Sequence, residues 1–248
     1  MNKKADAIII GAGVIGSSVA FELAKRGYKT LNIDKLPTSG YGSTSNSCAI
    51  VRAHYSTWDG VAMAYEGFFY WDDWANYLGV EDERGMIKYM KTGSIMFKLQ
   101  GEDHSKKSLK LFEEIGVEHE IWDLEKLKER MPIYSHDQFD GTTRTDDDEH
   151  FFDKTGKKIE GAIFTPGSGY VRDPQLSSHN LQVAAEAKGG EFLFNSEITE
   201  IRQESGKVIG VTLKSGEQID APIVVNVAGP HSFIINQMAG VEDEMNIK

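Results

Sequence analysis

One run in the chain, Gly11-Ala12-Gly13-Val14-Ile15-Gly16, has residue types and spacing that can hold a diphosphate. The first glycine of such a run permits a tight turn, the second lets a diphosphate reach the backbone, and the third lets the following helix lie close to the preceding strand. The diphosphate then rests on the helix N-terminus, where N–H groups lack partners and the dipole favours negative charge. A glycine-rich turn without a ligand carries the same pattern, so context decides. Apolar Ala5 to Ile10 precede the run, and Asp34 closes a second apolar segment about twenty residues further on, where a carboxylate can bond the ribose hydroxyls of an adenosine. NAD and FAD share these features. The other cluster with chemical potential, Asp146-Asp147-Asp148-Glu149, is contiguous. Neighbouring carboxylates cannot all face one hard cation, so a solvated loop is expected there and no metal site.

The elements that must position the glycine run are legible around it. Ala5 to Ile10 predicts a strand. Val14, Ile15, Val19, Leu23 and Ala24 predict a helix that Gly27 stops, and Thr30 to Ile33 predicts a second strand parallel to the first. Pro37 to Ser47 is a Gly/Ser/Thr-rich loop. Spaced aromatics from Tyr65 to Leu78 (Phe68, Phe69, Trp71, Trp74, Tyr77) predict an amphipathic helix whose rings pack in a core rather than form a ligand cage. Residues 84–164 mix strand (Gly93 to Leu99) and helix patterns (Ser105 to Ile115, Leu124 to Arg130) and break at Pro132, as a second, α+β domain would. Asp173 before Pro174 caps a helix expected to reach Lys188 and to end at Gly189–Gly190. Strands follow at Glu191 to Phe194, Glu197 to Glu204, Lys207 to Leu213 and Ile223 to Val227, then a helix from Ser232 to Ala239.

Composition removes several function classes. With 248 residues, 40% of them hydrophobic and 26% charged, the chain can bury a sizeable core. A balance of 27 Lys+Arg against 38 Asp+Glu, net −11, repels phosphate backbones and anionic lipid, so nucleic acid is not an expected partner. Cys48 is the single cysteine, which excludes an intrachain disulfide or multi-cysteine metal site and fits a reducing compartment. Lys3 and Lys4 before an apolar run imitate a signal peptide, but Asp6, Gly11 and Gly13 interrupt it. No stretch reaches the roughly 18 apolar residues a membrane span needs. A soluble, cytoplasmic protein is expected.

Taken together, four segments resemble the D-amino-acid-oxidase-like FAD-dependent amine oxidoreductases, which include sarcosine oxidase, glycine oxidase and dimethylglycine dehydrogenase. They are the GAGVIG run, Gly40-Tyr41-Gly42-Ser43-Thr44-Ser45-Asn46-Ser47-Cys48-Ala49-Ile50-Val51-Arg52, Ala162-Ile163-Phe164-Thr165-Pro166 through Asp173-Pro174, and Val224-Val225-Asn226-Val227-Ala228-Gly229-Pro230. The likeness spans nearly the whole chain and is greatest to flavin-bearing β subunits of multi-subunit sarcosine oxidases and proline dehydrogenases. It implies an α/β fold, a Rossmann-like FAD-binding domain with an inserted α+β substrate domain. The expected divisions are 1–83 and 166–235 for the FAD domain, 84–165 for the substrate domain and 236–248 for a return to the latter.

The resemblance also implies residue roles. Gly11, Ala12, Gly13, Val14, Ile15 and Gly16 lie below the pyrophosphate of a non-covalent FAD. Gly42, Ser43, Thr44, Ser45 and Ser47 meet its other side with hydroxyl and backbone donors. Asp34 and Lys35 face the adenosine, the backbone of Ile198 touches adenine, and Ala228 with Gly229 are the small pair beside the dinucleotide. Arg52 pairs with the substrate carboxylate and turns the reacting hydrogen toward the flavin, a structural ion pair being the alternative; His54 and Tyr55 lie just beyond, where they either line the same pocket or, as a lone His or Tyr more often does, simply pack. Two departures carry meaning. Ala49 stands where monomeric sarcosine oxidases have an arginine that assists oxygen, which favours a dehydrogenase over an oxidase. Asn46 stands where dimethylglycine dehydrogenases have a flavin-linking histidine.

These readings converge on an oxidoreductase that removes a hydride equivalent beside the nitrogen of a secondary or tertiary amino acid of the sarcosine, dimethylglycine or proline class. The rivals are a flavin oxidoreductase of 2-hydroxy acids or glycerol 3-phosphate and a flavoprotein subunit with structural FAD. The family's C-terminal segments, which complete the substrate domain and cover the flavin, have no counterpart in the sequence. A second chain or further residues are therefore expected to complete the site.

Overall fold

The computed structural model describes residues 3–139, 146 and 153–241. The chain divides into two compact units, one from Met1–Ala49, Asp73–Lys88 and Val171–Lys248, the other from Ile50–Asp72 and Tyr89–Tyr170.

The first unit is built on a parallel sheet ordered Glu191–Leu193, Thr30–Ile33, Ala7–Ile10, Ile223–Asn226. Both central strands are buried throughout; Ala7–Ile10 accordingly reads as a continuous apolar run, while Thr30–Ile33 buries Thr30 and Asn32 along with Leu31 and Ile33. Side chains alternate, so Ile8, Ile10, Leu31 and Ile33 share one face and pack against Ile198, Ile201, Val211, Leu213 and Ile219. Those partners lie on an antiparallel meander of Ile198–Glu204, Lys207–Leu213 and Gln218–Asp220. The helices Val14–Lys25 and Pro174–Glu186 pack on each other, and both bury small residues, Ser17, Ala20 and Ala24 in one and Ser178, Ala184 and Ala185 in the other. Asp173 caps the second helix as its sequence predicts, accepting the Leu176 N–H at 2.9 Å ahead of Pro174.

The second unit holds an antiparallel sheet of Ser94–Leu99, Lys154–Thr165 and Glu120–Asp123, with Asp137–Phe139 paired to the outer end of the long strand. Ile50–Val51 forms a short antiparallel pair with Gly169 and Tyr170. The helices Trp58–Asp72 and His104–Ile115 bury Val61, Phe68 and Phe112 against Ile163, Val117 and Ala53.

Three expectations change. The aromatic stretch is two helices, Trp58–Asp72 and Trp74–Leu78, with Asp73 at φ −111° and ψ 36° between them. Phe68 and Trp74 are buried, whereas Phe69 is 61% exposed and does not serve the core. The compact units divide after Ala49, Asp72, Lys88 and Tyr170 rather than after residues 83, 165 and 235, because Val61 and Phe68 join the core built on Phe112 and Ile163. Of the acidic run, Asp147, Asp148 and Glu149 lie outside the described residues, as do 242–248; Asp146 is exposed.

Candidate functional site

The glycine run forms the turn its sequence calls for. Gly11 has φ +108°, and a Cβ there would stand 2.5 Å from the Val227 carbonyl oxygen, so no other residue fits between the two strand ends. A Cβ on Gly16 would lie 1.8 Å from the Gly11 carbonyl oxygen, which brings the helix against the turn. The loop is fastened on several sides. Ala12 N–H donates to Asp34 Oδ2 at 2.7 Å, the Ala12 carbonyl accepts from Gly40 N–H at 2.8 Å, and Asn32 Nδ2 donates to the Gly11 carbonyl at 3.1 Å.

At the start of the helix, Thr44 Oγ1 accepts the Val14 N–H at 3.0 Å. The hydroxyl keeps its own proton free for a further acceptor. The N–H groups of Gly13, Ile15 and Gly16 have no acceptor among the described residues, as expected of an open helix start. Ser45 differs from the expectation for it. Its hydroxyl donates to the carbonyls of Tyr41 and Gly42 and its N–H to Gly40, so its donors shape the loop. Ser47 likewise accepts the Ala49 N–H at 2.9 Å and donates its own N–H to Thr44. Gly42 and Ser43 lie in the same loop, Ser43 exposed.

Beyond Asp34 the unit opens into a cavity of about 620 Å³, lined by Lys35, Leu36, Ser196, Glu197 and Lys214 among others. Asp34 is bonded to two of the lining residues: its Oδ1 accepts the Leu36 N–H at 2.9 Å and its carbonyl accepts the Ser196 N–H at 3.0 Å. Ile198 is 6% exposed and shares a core cluster with Ala228, while Ala228 Cα lies beside the Gly11 turn. The structure thus gathers the glycine run, Thr44, Asp34, Lys35, Ile198 and Ala228 around one edge of the first unit. The residues fit a dinucleotide: a turn no Cβ could enter, free donors at a helix start, and a roomy cavity past the carboxylate.

Arg52 and His54 belong to the second unit. Arg52 is exposed and has no ion-pair partner among the described residues. His54, for which the sequence leaves pocket lining and packing open, is 8% exposed; its ring stacks on Phe112 at 5.8 Å and its Nε2 lies 3.1 Å from Thr165 Oγ1. Burial, with the charges of Arg52 and His104 nearby, lowers its pKa to about 4, so it is neutral at pH 7. Tyr55 is 45% exposed. Ala49 sits at φ +52°, a left-handed conformation outside glycine's usual company.

Sequence reasoning gave no individual role to Asn32, Gly40 or Thr165. A polar residue inside the strand Thr30–Ile33 is a signal for the first; the other two stand within segments that carry the family resemblance, with nothing to single them out there. Among the described residues no group of three or more His, Cys, Asp and Glu could hold a metal, and no helix is long and apolar enough to cross a membrane.

Comparison with known proteins gives a consistent result. Residues 6–248 match the family described as DAO, FAD dependent oxidoreductase. Sarcosine oxidase subunit beta of Rhizobium meliloti is 22% identical over 95% of the chain and 52% of its own length. A glycerol 3-phosphate dehydrogenase of Caloramator mitchellensis is 25% identical over 94% of the chain and 43% of its own length. The crystal structure of L-proline dehydrogenase from P. horikoshii superposes with a TM-score of 0.78 at 23% identity, over 99% of the chain and 58% of that structure. The chain spans about half the length of these curated relatives.

Proposed function

The chain belongs to the DAO family of FAD-dependent oxidoreductases, and on that premise we propose that it carries the FAD site and part of the substrate site of an enzyme oxidising the C–N bond of a secondary or tertiary amino acid. FAD, when bound, supplies the acceptor for the hydride equivalent. The first-turn N–H groups and Thr44 hold the pyrophosphate, with Gly42, Ser43, Ser45 and Ser47 shaping the loop around them. Asp34 and Lys35 take the adenosine beside Ile198, and Ala228 with Gly229 leave room for the dinucleotide. Asn46 donates its side-chain amide to Gly42 at 2.9 Å and offers no nucleophile, in keeping with a non-covalent cofactor.

The observation that carries the substrate reading is Arg52, an exposed guanidinium with no carboxylate partner among the described residues. A planar fork of donors suits the carboxylate of an amino acid and orients its C–H bond. Ala49 supplies no cation to the flavin, which favours an electron acceptor other than oxygen; rapid reoxidation of reduced enzyme by air would count against this. The decisive experiment is an anaerobic screen of sarcosine, dimethylglycine, proline, glycerol 3-phosphate and 2-hydroxy acids. Bleaching by the amino acids supports the reading, bleaching by glycerol 3-phosphate or a hydroxy acid alone replaces it, and no bleaching by any of them leaves the FAD a structural one.

A further inference from the structure

Four polar side chains of the second unit, drawn from three stretches far apart in sequence, meet. His54 Nε2 lies 3.1 Å from Thr165 Oγ1 and 3.4 Å from Ser94 Oγ. Thr165 Oγ1 is in turn 2.9 Å from Ser94 Oγ and 2.8 Å from Ser168 Oγ. Ser94 and Thr165 are direct cross-strand partners, and Ser168 closes the turn after the long strand by donating its N–H to the Thr165 carbonyl. Thr165 and Ser168 are completely buried. Ala53, also completely buried, packs in the core with Phe112, on which His54 stacks. The two residues after Arg52 are therefore sunk into the sheet and helix, one by packing and one by a hydrogen bond, while Arg52 itself stays exposed.

We propose that Thr165, held by Ser94 and Ser168, is a positioning residue that fixes the turn carrying Arg52 through His54 Nε2, and thereby sets the affinity for a substrate carboxylate. This rests on the reading of Arg52 as the carboxylate anchor. A long side chain reaches a bidentate geometry reliably only when its stem is fixed, because the fork tolerates little angular error. Buried hydroxyls cost free energy unless each is paired, and these pair with one another and with a neutral imidazole that can accept as well as donate. An apolar trio would fill the space, but it would leave the imidazole without a fixed partner.

The test uses the flavin-loaded protein and two matched pairs of probes: L-proline with pyrrolidine, and sarcosine with dimethylamine, the second of each pair lacking the carboxylate. Binding is followed by flavin absorbance and the His54 imidazole by 15N NMR. Thr165→Val removes the hydroxyl at nearly constant shape. It should weaken both amino acids about ten-fold, change the carboxylate-free amines by less than about two-fold, shift the His54 resonances and leave flavin content unchanged. Thr165→Ser should restore binding, and in an Arg52→Met background the Thr165→Val effect should vanish. If Thr165→Val does not fold, Ser94→Ala carries the same expectations. Wild-type amino-acid affinity in the valine variant, or equal loss for acids and amines, would overturn the proposal. If Arg52→Met leaves amino-acid binding unchanged, the anchor reading fails and takes this inference with it. If Arg52→Met weakens binding and Thr165→Val does not, the inference alone falls.

Discussion

The carboxylate of Asp34 accepts the N–H of Ala12 at 2.7 Å, so the acidic residue ending the second strand holds the glycine turn in place from the other side of the sheet's edge. Its second oxygen accepts the Leu36 N–H at 2.9 Å. Two charge-assisted bonds to backbone are lost together in Asp34→Ala.

That variant should lose on the order of 2–3 kcal/mol of stability and most of its affinity for FAD. Asp34→Asn keeps one acceptor and should lie between. Thermal unfolding and flavin retention on gel filtration check both; an alanine variant that keeps its flavin would refute the fastening role.

Gly16→Ala separates local propensity from packing. Helix propensity alone would make the change stabilising by about 1 kcal/mol. The Cβ would instead meet the Gly11 carbonyl oxygen at 1.8 Å, so the helix must shift. A lower melting temperature and loss of bound flavin are expected, and a higher melting temperature would contradict the close approach.

Gly13→Val should behave differently. The nearest atom to a Cβ there is Thr44 Oγ1 at 3.2 Å, and no backbone lies within 4 Å. The apoprotein should fold with near-normal stability, while the branched side chain covers the first-turn N–H groups and empties the site. Colourless, folded protein by absorbance and circular dichroism is the expected pair of results.

Asn180 lies at the centre of a polar pin. Its Oδ1 accepts the Trp74 indole N–H at 3.2 Å and the Ile87 N–H at 3.1 Å, and its Nδ2 donates to Asp82 at 2.7 Å and to the Gly85 carbonyl at 2.9 Å. Asn180→Leu strands these groups and should cost on the order of 3 kcal/mol. Proteolysis within Asp73–Lys88 should accelerate before the rest of the chain becomes sensitive.

His54 sets a pH window. Its pKa is about 4 in the fold against an ordinary 6.5, so between these values the unfolded chain binds a proton that the folded chain does not. Its contribution is complete above about pH 6.5, declines as pH falls and levels off below about pH 4, a total on the order of 3 kcal/mol. Urea unfolding at pH 7 and pH 4.5 should show the loss in wild type and a smaller loss in His54→Phe.

Local patterns carried the strand, turn, helix and strand around Gly11, and the cap at Asp173, because each rests on neighbours in sequence. They did not carry Lys154–Thr165 as one strand. Its first five residues are exposed and charged or small, and only from Ile159 does it enter the core. Glu120–Asp123 is likewise mostly exposed and shows one buried residue, Trp122. The hydroxyl cluster was invisible for another reason: antiparallel register joins Ser94 to Thr165 across distant sequence. Asp82 and His179 are likewise remote in sequence yet 2.6 Å apart, brought together by a loop packed on the helix Pro174–Glu186. His54 had the right residue type for chemistry, and only burial showed that it stays uncharged.

The parallel pairing of Ala7–Ile10 with Ile223–Asn226 has a consequence for biosynthesis. As the ribosome delivers the chain, Ala7–Ile10 is followed closely by its neighbour Thr30–Ile33, but the flanking strand arrives only when nearly all of the described sequence has left the tunnel. Until then one edge of a wholly apolar strand is open to any passing extended segment, a template for mispairing. Slow translation or a holding chaperone during that interval should govern the yield of native protein more than the stability of the finished sheet does.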